Sequence, residues 1–371
     1  MIDAALRARC DIVLGYPHHG SESAADVLRE IADYMDERGL AAEMYLGGPM
    51  IAELEARVAH LLGKPAAMWS PTGTLAQGIA ARLHAAATGR SVVALHPTSH
   101  LELHEERGYH FAHGLDARLI GDWSEPLSAA DLVPGMACTF VELPQRHNGG
   151  ALPDWEALEA IKARAAMLDC PLHLDGARLW STRPFYADRS LAEIAEGFAS
   201  VYVSFYKDIG ALAGAMLAGE ADFIAEARLW QARLGGRLVA SWPMVPDALR
   251  LLDTRLERMP AYVGRARALA AALSGIDGVE VTPDPPHVNM LHLRLPCDAA
   301  IAEAARDEAA RQTGVWLGNR FWALEGDGVC ALEITVGEAL MSLPDERLAA
   351  AVRVLASEAG RLTPPADTAP A

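Results

Sequence analysis

The stretch that decides the fold is Pro171-Leu-His-Leu-Asp-Gly-Ala-Arg178, and the segment Val201-Tyr-Val-Ser-Phe-Tyr-Lys-Asp-Ile-Gly210 follows it along the chain. Each segment reads as a short apolar strand that ends in charged side chains. The first segment ends with Asp175 and Arg178, and the second contains Lys207 near its end. The pattern therefore predicts two buried strands with an acid at the end of one and an amine at the end of the other.

An acid and an amine in this arrangement are what a pyridoxal phosphate (PLP) enzyme requires. The lysine binds the cofactor covalently, and the carboxylate keeps the pyridine nitrogen protonated so that the ring can accept electrons. Either residue alone also fits an ordinary role, with Asp175 as a helix cap and Lys207 as an exposed loop cation. Together, in this order, they predict PLP as the cofactor, with Lys207 and Asp175 as catalytic residues.

Composition bounds the class of protein. The chain has 371 residues, of which 51% are hydrophobic, so it can form one large domain and a smaller one. The formal net charge of −17 argues against nucleic acid or an anionic membrane as partner. No apolar run is long enough to span a membrane, and Met1 to Gly15 lacks the features of a signal peptide. The five cysteines are scattered without a CxxC pair, which predicts a reducing, cytoplasmic location.

The order of segments predicts an α/β fold. From Met50 onward, helical and strand-like segments alternate, which indicates a mostly parallel sheet with helices on both faces. We predict a three-layer large α/β domain over residues 1–248, with an N-terminal segment. A smaller C-terminal α+β domain is predicted over residues 249–362, and a disordered tail rich in Pro and Ala over residues 363–371.

A turn and a pair of glycines are candidate phosphate sites. Thr72-Gly73-Thr74 lies between a predicted strand and a helix, where backbone N–H groups and threonine hydroxyls can hold a phosphate. Taken alone, this turn also fits Thr74 as a plain helix N-cap. Arg237 follows Gly235-Gly236 and is a candidate phosphate contact across a dimer interface.

Two polar segments are candidates for the same cleft. In Thr98–Glu105, His100 could stack over a planar cofactor and act as a base, although the segment also fits a solvated loop-to-helix junction. His104 lies four residues from His100, but no third ligand follows at suitable spacing, so no metal site is predicted. The segment Glu142–Gly150 follows a strong predicted strand, and its polar residues would enter the cleft or form a surface loop.

These segments resemble the threonine aldolases, within the β-eliminating-lyase branch of PLP enzymes with the aspartate aminotransferase fold, fold type I. The resemblance implies that the large domain is PLP-dependent transferase-like. The resemblance covers roughly residues 43 to 240, and its most specific match is His173–Arg178, which is nearly the family's HMDGAR. Looser matches are Glu43–Glu55 to YGxDPTxxxLE, Pro71–Gln77 to SGTxxN, His100 with Glu105 to HxxxxE, and Asn148–Gly150 to the N…GG turn. Lys207 stands where the family's cofactor-binding lysine is expected.

The chain departs from the family pattern at several positions. Tyr206 precedes Lys207 where the family has Ser, so Ser204 is the candidate phosphate contact. Glu333 stands roughly where the family has an Arg for the substrate carboxylate. Two carboxylates repel when they are desolvated. Either another cation therefore substitutes for the family's Arg, with Arg320 as the candidate, or the substrate is unusual.

The resemblance implies cleavage of the Cα–Cβ bond of a β-hydroxy-α-amino acid to glycine and an aldehyde. Lys207, Asp175 and His100 would be the catalytic residues, and Arg178 would bind the substrate carboxylate or the cofactor's phenolic oxygen. One alternative is β-elimination or transamination of another amino acid. An alternative of a different class is a catalytically decayed binding or regulatory protein. The resemblance also implies a homodimer or homotetramer with a shared active site.

Overall fold

The structure is a computed structural model, which describes residues 3–15, 18–20, 23–324 and 328–363. The predicted tail lies outside the described residues except for Thr363. The strands are β1 Ile12–Val13, β2 Ala66–Ser70, β3 Val92–Leu95, β4 Asp116–Leu119, β5 Thr139–Glu142, β6 Leu172–Gly176, β7 Ser200–Ser204, β8 Ala215–Gly219, β9 Glu280–Thr282, β10 Met290–Leu295, β11 Val315–Trp316, β12 Phe321–Ala323 and β13 Cys330–Thr335.

Helices separate most of these strands, as the alternation in the sequence predicts. The α-helices are α1 Ala4–Arg7, α2 Ala24–Arg38, α3 Pro49–Leu61, α4 Gly73–Thr88, α5 His100–Leu103, α6 Gly108–Phe111, α7 Trp155–Met167, α8 Leu191–Ala195, α9 Ala221–Arg233, α10 Met244–Leu273, α11 Ala299–Thr313, α12 Glu338–Met341 and α13 Asp345–Leu362. Short 3-10 helices occur at Ala129–Asp131, Arg146–Asn148 and Leu179–Ser181.

The described residues form a seven-stranded sheet in the order β2-β8-β7-β6-β5-β3-β4. Strand β8 is antiparallel to both of its neighbours, and the other pairs are parallel. The connection from β7 to β8 is short and contains no helix, whereas a parallel crossover needs a dozen or more residues. The sheet is therefore mostly parallel with one reversed strand.

Strands β6 and β7 are buried along their whole length. Their apolar residues face helices on both sides of the sheet, as is usual for central parallel strands. One apolar layer joins α4 and α9 to strands β2, β7 and β8 through Met68, Ile79, Tyr202, Leu217 and Ile224. This packing holds the carboxyl ends of β6 and β7 in place next to the start of α4.

Helix α4 begins directly after strand β2. Its N-cap is Thr72, whose side-chain oxygen accepts a hydrogen bond from the backbone N–H of Leu75 at 3.2 Å. The plain capping role considered for Thr74 therefore belongs to Thr72, because Gly73 is already the first helical residue. The N-terminus of this long helix lies at the edge of the sheet where Asp175 lies.

The chain forms two compact units. The larger unit comprises Ser21–His147 and Ala151–Pro260, and the smaller comprises Met1–Gly20, Asn148–Gly150 and Ala261–Ala371. Both units are discontinuous in sequence, whereas the predicted limits of 1–248 and 249–362 are continuous divisions and stay a prediction.

The smaller unit contains an antiparallel sheet in the order β12-β13-β10-β9. One face of this sheet is apolar, with Leu291, Leu293, Leu332 and Ile334 buried. Helices α11 and α13 pack closely on each other in the same unit. The fold is therefore α/β with a smaller α+β part, as predicted. Among the described residues, no helix is both long and apolar enough to cross a membrane.

Candidate active site

Asp175 is the buried acid at the carboxyl end of β6. Its Oδ1 accepts a hydrogen bond from the backbone N–H of Ala177 at 3.2 Å. Burial raises the pKa of Asp175, and the positive charges of His100 and Lys207 oppose that rise. Lys207, and His100 in its protonated form, are therefore close enough to favour the ionised carboxylate.

Lys207 lies just beyond the end of β7. Its Nζ donates a hydrogen bond to Tyr206 Oη at 3.2 Å, and lies 4.6 Å from the centre of the Tyr206 ring and 5.9 Å from that of Tyr202. Two phenol rings therefore surround the amine, which is still partly exposed.

The sequence contains three lysines, Lys64, Lys162 and Lys207. The ammonium of Lys64 donates to the carbonyl oxygens of Ala195 and Phe198, at 3.0 and 2.6 Å. The ammonium of Lys162 pairs with Glu159 at 2.8 Å. Two of the three amines are thus held in structural contacts away from the sheet edge, and Lys207 is the one beside the buried acid.

His100 begins the short helix α5. Its Nδ1 lies 3.0 Å from Oε1 of Glu105, whose side chain is 4% exposed. A carboxylate can only accept, so Nδ1 carries the proton of the neutral ring, and Nε2 keeps its lone pair. Glu105 therefore fixes the tautomer in which the other ring nitrogen can act as a base.

Glu142 is a second acid beside Asp175, and it is partly buried. The two residues are register partners on β5 and β6, and Asp175 is in turn the partner of Tyr202 on β7. Side chains of paired residues on neighbouring parallel strands project from the same face of the sheet. A row of carboxyl, carboxyl and phenol groups therefore crosses three strands.

Gly73 leaves space at the start of α4 for the Tyr202 phenol. A Cβ atom at Gly73 would lie 2.1 Å from Tyr202 Oη, so the backbone of this turn comes unusually close to the side-chain row. Thr72 and Thr74 are exposed on either side of it. The turn presents free N–H groups, two hydroxyls and the positive end of a helix dipole to solvent, which suits an anion.

Ser204 and Arg178 lie at the same edge of the sheet. The buried Ser204 hydroxyl donates to the carbonyl oxygen of Ala177 at 2.7 Å, and the carbonyl of Ser204 accepts from Trp180 Nε1 at 2.7 Å. Ser204 thus ties the end of β7 to the loop after β6. Arg178 is buried, and its charge lowers the pKa of Glu142.

Arg237 lies on an exposed pair of loops. Its Nε donates to the carbonyl oxygen of Tyr45 at 3.2 Å, and its guanidinium lies 5.7 Å from the centre of the Tyr45 ring. Tyr45, Met44 and Val239 are all at least half exposed around it. Its contact with a phosphate stays a prediction.

Arg320 and Glu333 belong to the smaller unit. Arg320 is exposed directly before β12. Glu333 lies on β13 opposite His292 of β10, with 4.0 Å between the Glu333 carboxylate and His292 Nε2. Glu333 therefore has a cationic partner within its own sheet when His292 is protonated.

Sequence reasoning missed Glu142, Tyr202 and Tyr206 as site residues. Tyr202 and Tyr206 lie inside the motif segment, but the apolar run around them indicates only a buried strand. Glu142 ends a strand, as Asp175 does, yet only the strand register places the two acids together. The sequence held one signal for this placement: Glu142 and Asp175 each follow a predicted strand, and the carboxyl ends of parallel strands meet at one edge of the sheet.

The side chains at this edge fit PLP by their chemistry. Asp175 can hold a protonated ring nitrogen, Lys207 can bind an aldehyde, and the turn at Thr72–Thr74 can hold a phosphate. The crowding at Gly73 gives a backbone cradle that no larger residue would allow. The fold and the site together define a PLP-dependent enzyme of fold type I.

Comparison with known proteins gives the family. The profile of the β-eliminating lyase family matches residues 21–296, and the chain belongs to that family of PLP-dependent lyases. A Listeria monocytogenes protein assigned as an L-allo-threonine aldolase has a crystal structure that superposes with a TM-score of 0.87 at 36% identity, covering 95% of this chain and 98% of that one.

Two curated relatives are more distant in sequence. The low-specificity L-threonine aldolase 1 of Arabidopsis thaliana is 25% identical over 72% of this chain and 79% of its own. The low specificity L-threonine aldolase of Escherichia coli strain K12 is 25% identical over 74% of this chain and 83% of its own. A Sphingomonas wittichii serine palmitoyltransferase at 17% identity and a TM-score of 0.68 shares the fold.

Proposed function

We propose that this chain cleaves the Cα–Cβ bond of a β-hydroxy-α-amino acid, releasing an aldehyde and leaving glycine. The observation that carries the proposal is the cluster of Asp175, His100 and Lys207 at the carboxyl ends of β6 and β7. The names of the relatives support threonine or allo-threonine as the substrate class. When bound, PLP supplies the electron sink for the carbon–carbon bond that breaks.

Asp175 and Lys207 hold the cofactor in this proposal. Lys207 provides the amine that binds the cofactor aldehyde, and its two phenol neighbours limit where that amine can point. Asp175 would accept the N–H of a protonated pyridine nitrogen, and the charge of Lys207 opposes the effect of burial on this carboxylate. Thr72, Gly73 and Thr74 would bind the phosphate at the start of α4. Ser204, whose hydroxyl donates to the carbonyl oxygen of Ala177, stays the candidate for a further phosphate contact.

His100 is the proposed base. Aldol cleavage requires removal of the proton from the substrate's β-hydroxyl group while the electron pair of the Cα–Cβ bond moves away from the departing aldehyde. With Nδ1 held by Glu105, Nε2 is available to accept that proton. The imidazole is 33% exposed, which leaves it accessible to a substrate.

Arg178 is the proposed partner of the substrate carboxylate or of the cofactor's phenolic oxygen. Its guanidinium is buried and can form two parallel hydrogen bonds to a carboxylate. Within the smaller unit, Arg320 is proposed as an additional cation for the carboxylate, and Glu333 as a substrate-binding residue that replaces the family's Arg.

The test is product analysis on the PLP-loaded enzyme. L-Threonine and L-allo-threonine are supplied separately, and glycine, acetaldehyde, keto acid and ammonia are quantified. Equal amounts of glycine and acetaldehyde support aldol cleavage, whereas keto acid with ammonia means β-elimination and contradicts the proposal. The variant Glu156→Gln, which changes an exposed helix residue, is the control and should keep the same products.

We extend the proposal to assembly and location. The chain forms a homodimer or homotetramer with a shared active site in the cytoplasm. The exposed apolar side chains of Met44, Tyr45 and Val239 around Arg237 support the assembly. The five free cysteines fit a reducing compartment. Light scattering on the purified enzyme gives the oligomeric state, and a monomer that retains full activity would contradict a shared site.

A further inference from the structure

Two carboxyl groups end neighbouring strands at the candidate site. Glu142 is the last residue of β5, and Asp175 is the residue before the last of β6. The two are register partners. Neighbouring strands lie about 4.8 Å apart, and partners in register project their side chains to one face. The site therefore contains two acids where the proposed chemistry needs one negative charge.

The surroundings of the two acids are unequal. Asp175 has the N–H of Ala177 at 3.2 Å and the cation Lys207 nearby, with His100 as a second cation when it is protonated. Glu142 has one hydrogen bond, from the backbone N–H of Arg146 to Oε1 at 2.9 Å. Its other oxygen, Oε2, is buried and has no hydrogen-bond partner in the part of the chain that the structure describes.

Charged groups reach Glu142 from several elements. Burial and the negative charge of Asp175 raise the pKa of Glu142 to about 7, while His100 and Arg178 oppose the rise. His96, at the end of β3, lines a cavity of about 10 Å³ beside Glu142 together with Gln145. Burial lowers the pKa of His96, so this neighbour is neutral near pH 7 and does not stabilise a charged Glu142.

We propose that Glu142 carries the proton of a carboxyl pair with Asp175, and that its neutral form keeps Asp175 ionised for the cofactor's ring nitrogen. Two adjacent buried carboxyl groups do not both ionise readily, and the one with fewer favourable partners takes the proton. The second half of this inference rests on the proposed role of Asp175. Glu142 is thus a positioning residue that acts through Asp175.

Infrared spectroscopy can detect the proton directly. A protonated buried carboxyl group has a C=O stretching band that disappears when the group ionises. We expect such a band in the wild-type protein, before and after loading with PLP, with a midpoint of loss near pH 7 before loading. Glu142→Gln should remove the band, and the exposed-residue control Glu156→Gln should retain it.

A second variant tests the coupling without depending on Glu142→Gln. In Asp175→Asn the like charge is gone, so the midpoint of the Glu142 band should move to lower pH. A band that persists in Glu142→Gln, a wild type without such a band at pH 6, or a midpoint unmoved in Asp175→Asn would overturn the inference. Product analysis is independent of these spectra, so failure of the aldol proposal is distinguishable.

Discussion

Lys207 differs from the other two lysines in what surrounds its amine, and this makes its role simple to test. Lys207→Ala should abolish covalent cofactor binding, because Lys64 and Lys162 are held by carbonyl oxygens and by Glu159. The measurement is the mass of the protein after PLP binding and borohydride reduction. Lys162→Ala is the control and should still gain one cofactor. A reduced adduct on Lys207→Ala would refute the assignment.

A buried polar cluster behind the site governs acid stability. The Ser200 hydroxyl lies 2.7 Å from His84 Nε2 and 2.7 Å from His173 Nδ1. Burial lowers the pKa of His84 to about 4 and that of His173 well below its usual value. Both rings are therefore neutral in the folded protein across a range where an unfolded histidine, with a pKa of about 6.5, becomes charged.

The sign of the pH effect follows from these pKa values. Below pH 6.5 the unfolded state binds more protons than the folded state, so the free energy of unfolding falls as the pH falls towards 4. His84 alone should contribute a loss of about 2 kcal/mol between pH 7 and pH 5. Urea unfolding at equal protein concentration gives the free energies of unfolding of wild type and His84→Gln. The difference between these two free energies should be smaller at pH 5 than at pH 7. A constant difference would contradict it.

Single residues were the most predictable part of the site. Asp175, Lys207 and His100 could be found from the sequence because each polar residue interrupts or follows an apolar run. Glu142 and Tyr202 could not be placed in the same way, since their position beside Asp175 depends on strand register. Register depends on the apolar patterns of two strands together, so it cannot be read from either segment alone.

At the scale of one element, the start of α4 requires a residue without a side chain, which is Gly73. A Cβ atom at Gly73 would lie 2.1 Å from Tyr202 Oη, and Tyr202 is fully buried. Gly73→Ala should therefore destabilise the protein by about 1–3 kcal/mol, as overpacking does, and weaken PLP retention. Thermal unfolding and cofactor loss during dialysis measure the two effects.

A matched glycine gives the control. Gly264 lies inside the exposed face of α10, and nothing lies within 4 Å of a Cβ placed there. Gly264→Ala should raise the free energy of unfolding by about 0.5–1 kcal/mol, because alanine loses less conformational entropy in a helix. If both variants shift stability in the same direction, the steric explanation for Gly73 is wrong.

Most elements of the large sheet were predictable from patterning, and the exceptions have physical reasons. Strand β7 contains the apolar run Val201–Val203, and strand β6 alternates Leu172 and Leu174 with polar residues. Asp154 caps α7, as its residue type predicts. The antiparallel direction of β8 was not anticipated, because it follows from the length of the β7–β8 connection rather than from the strand itself. In the sheet of the smaller unit, strand β12 has three residues and is too short to show a period.

At the scale of the whole molecule, the reactivity of the cysteine thiols shows which of them the folded chain buries. Cys10 is partly exposed, and the other four cysteines are buried. Burial raises the pKa of Cys10, so its reaction with Ellman's reagent should be slow at pH 7. We expect one thiol to react in the native protein and five after unfolding. Fewer than five after unfolding would mean that a disulfide is present.

Size, charge and fold class were readable from the whole sequence, but the strand pairing at the beginning of the chain was not. Residues Ile12 and Val13 pair with Val315 and Trp316 in a two-residue parallel ladder. This pairing assigns the beginning of the chain to the smaller unit. Contacts between such distant and short segments leave no pattern in composition or periodicity, so a continuous domain division was the natural expectation.

Because the chain has only three lysines, the length of the peptides from a lysine-specific digest shows whether the cofactor is attached. A protease that cuts only after lysine separates residues 163–207 from residues 208–371 whenever the amine of Lys207 is free. A cofactor fixed to that amine by reduction blocks the cut and leaves one longer peptide, 163–371. The proportion of the joined peptide in a digest therefore counts the loaded molecules in a preparation, without any assay of turnover.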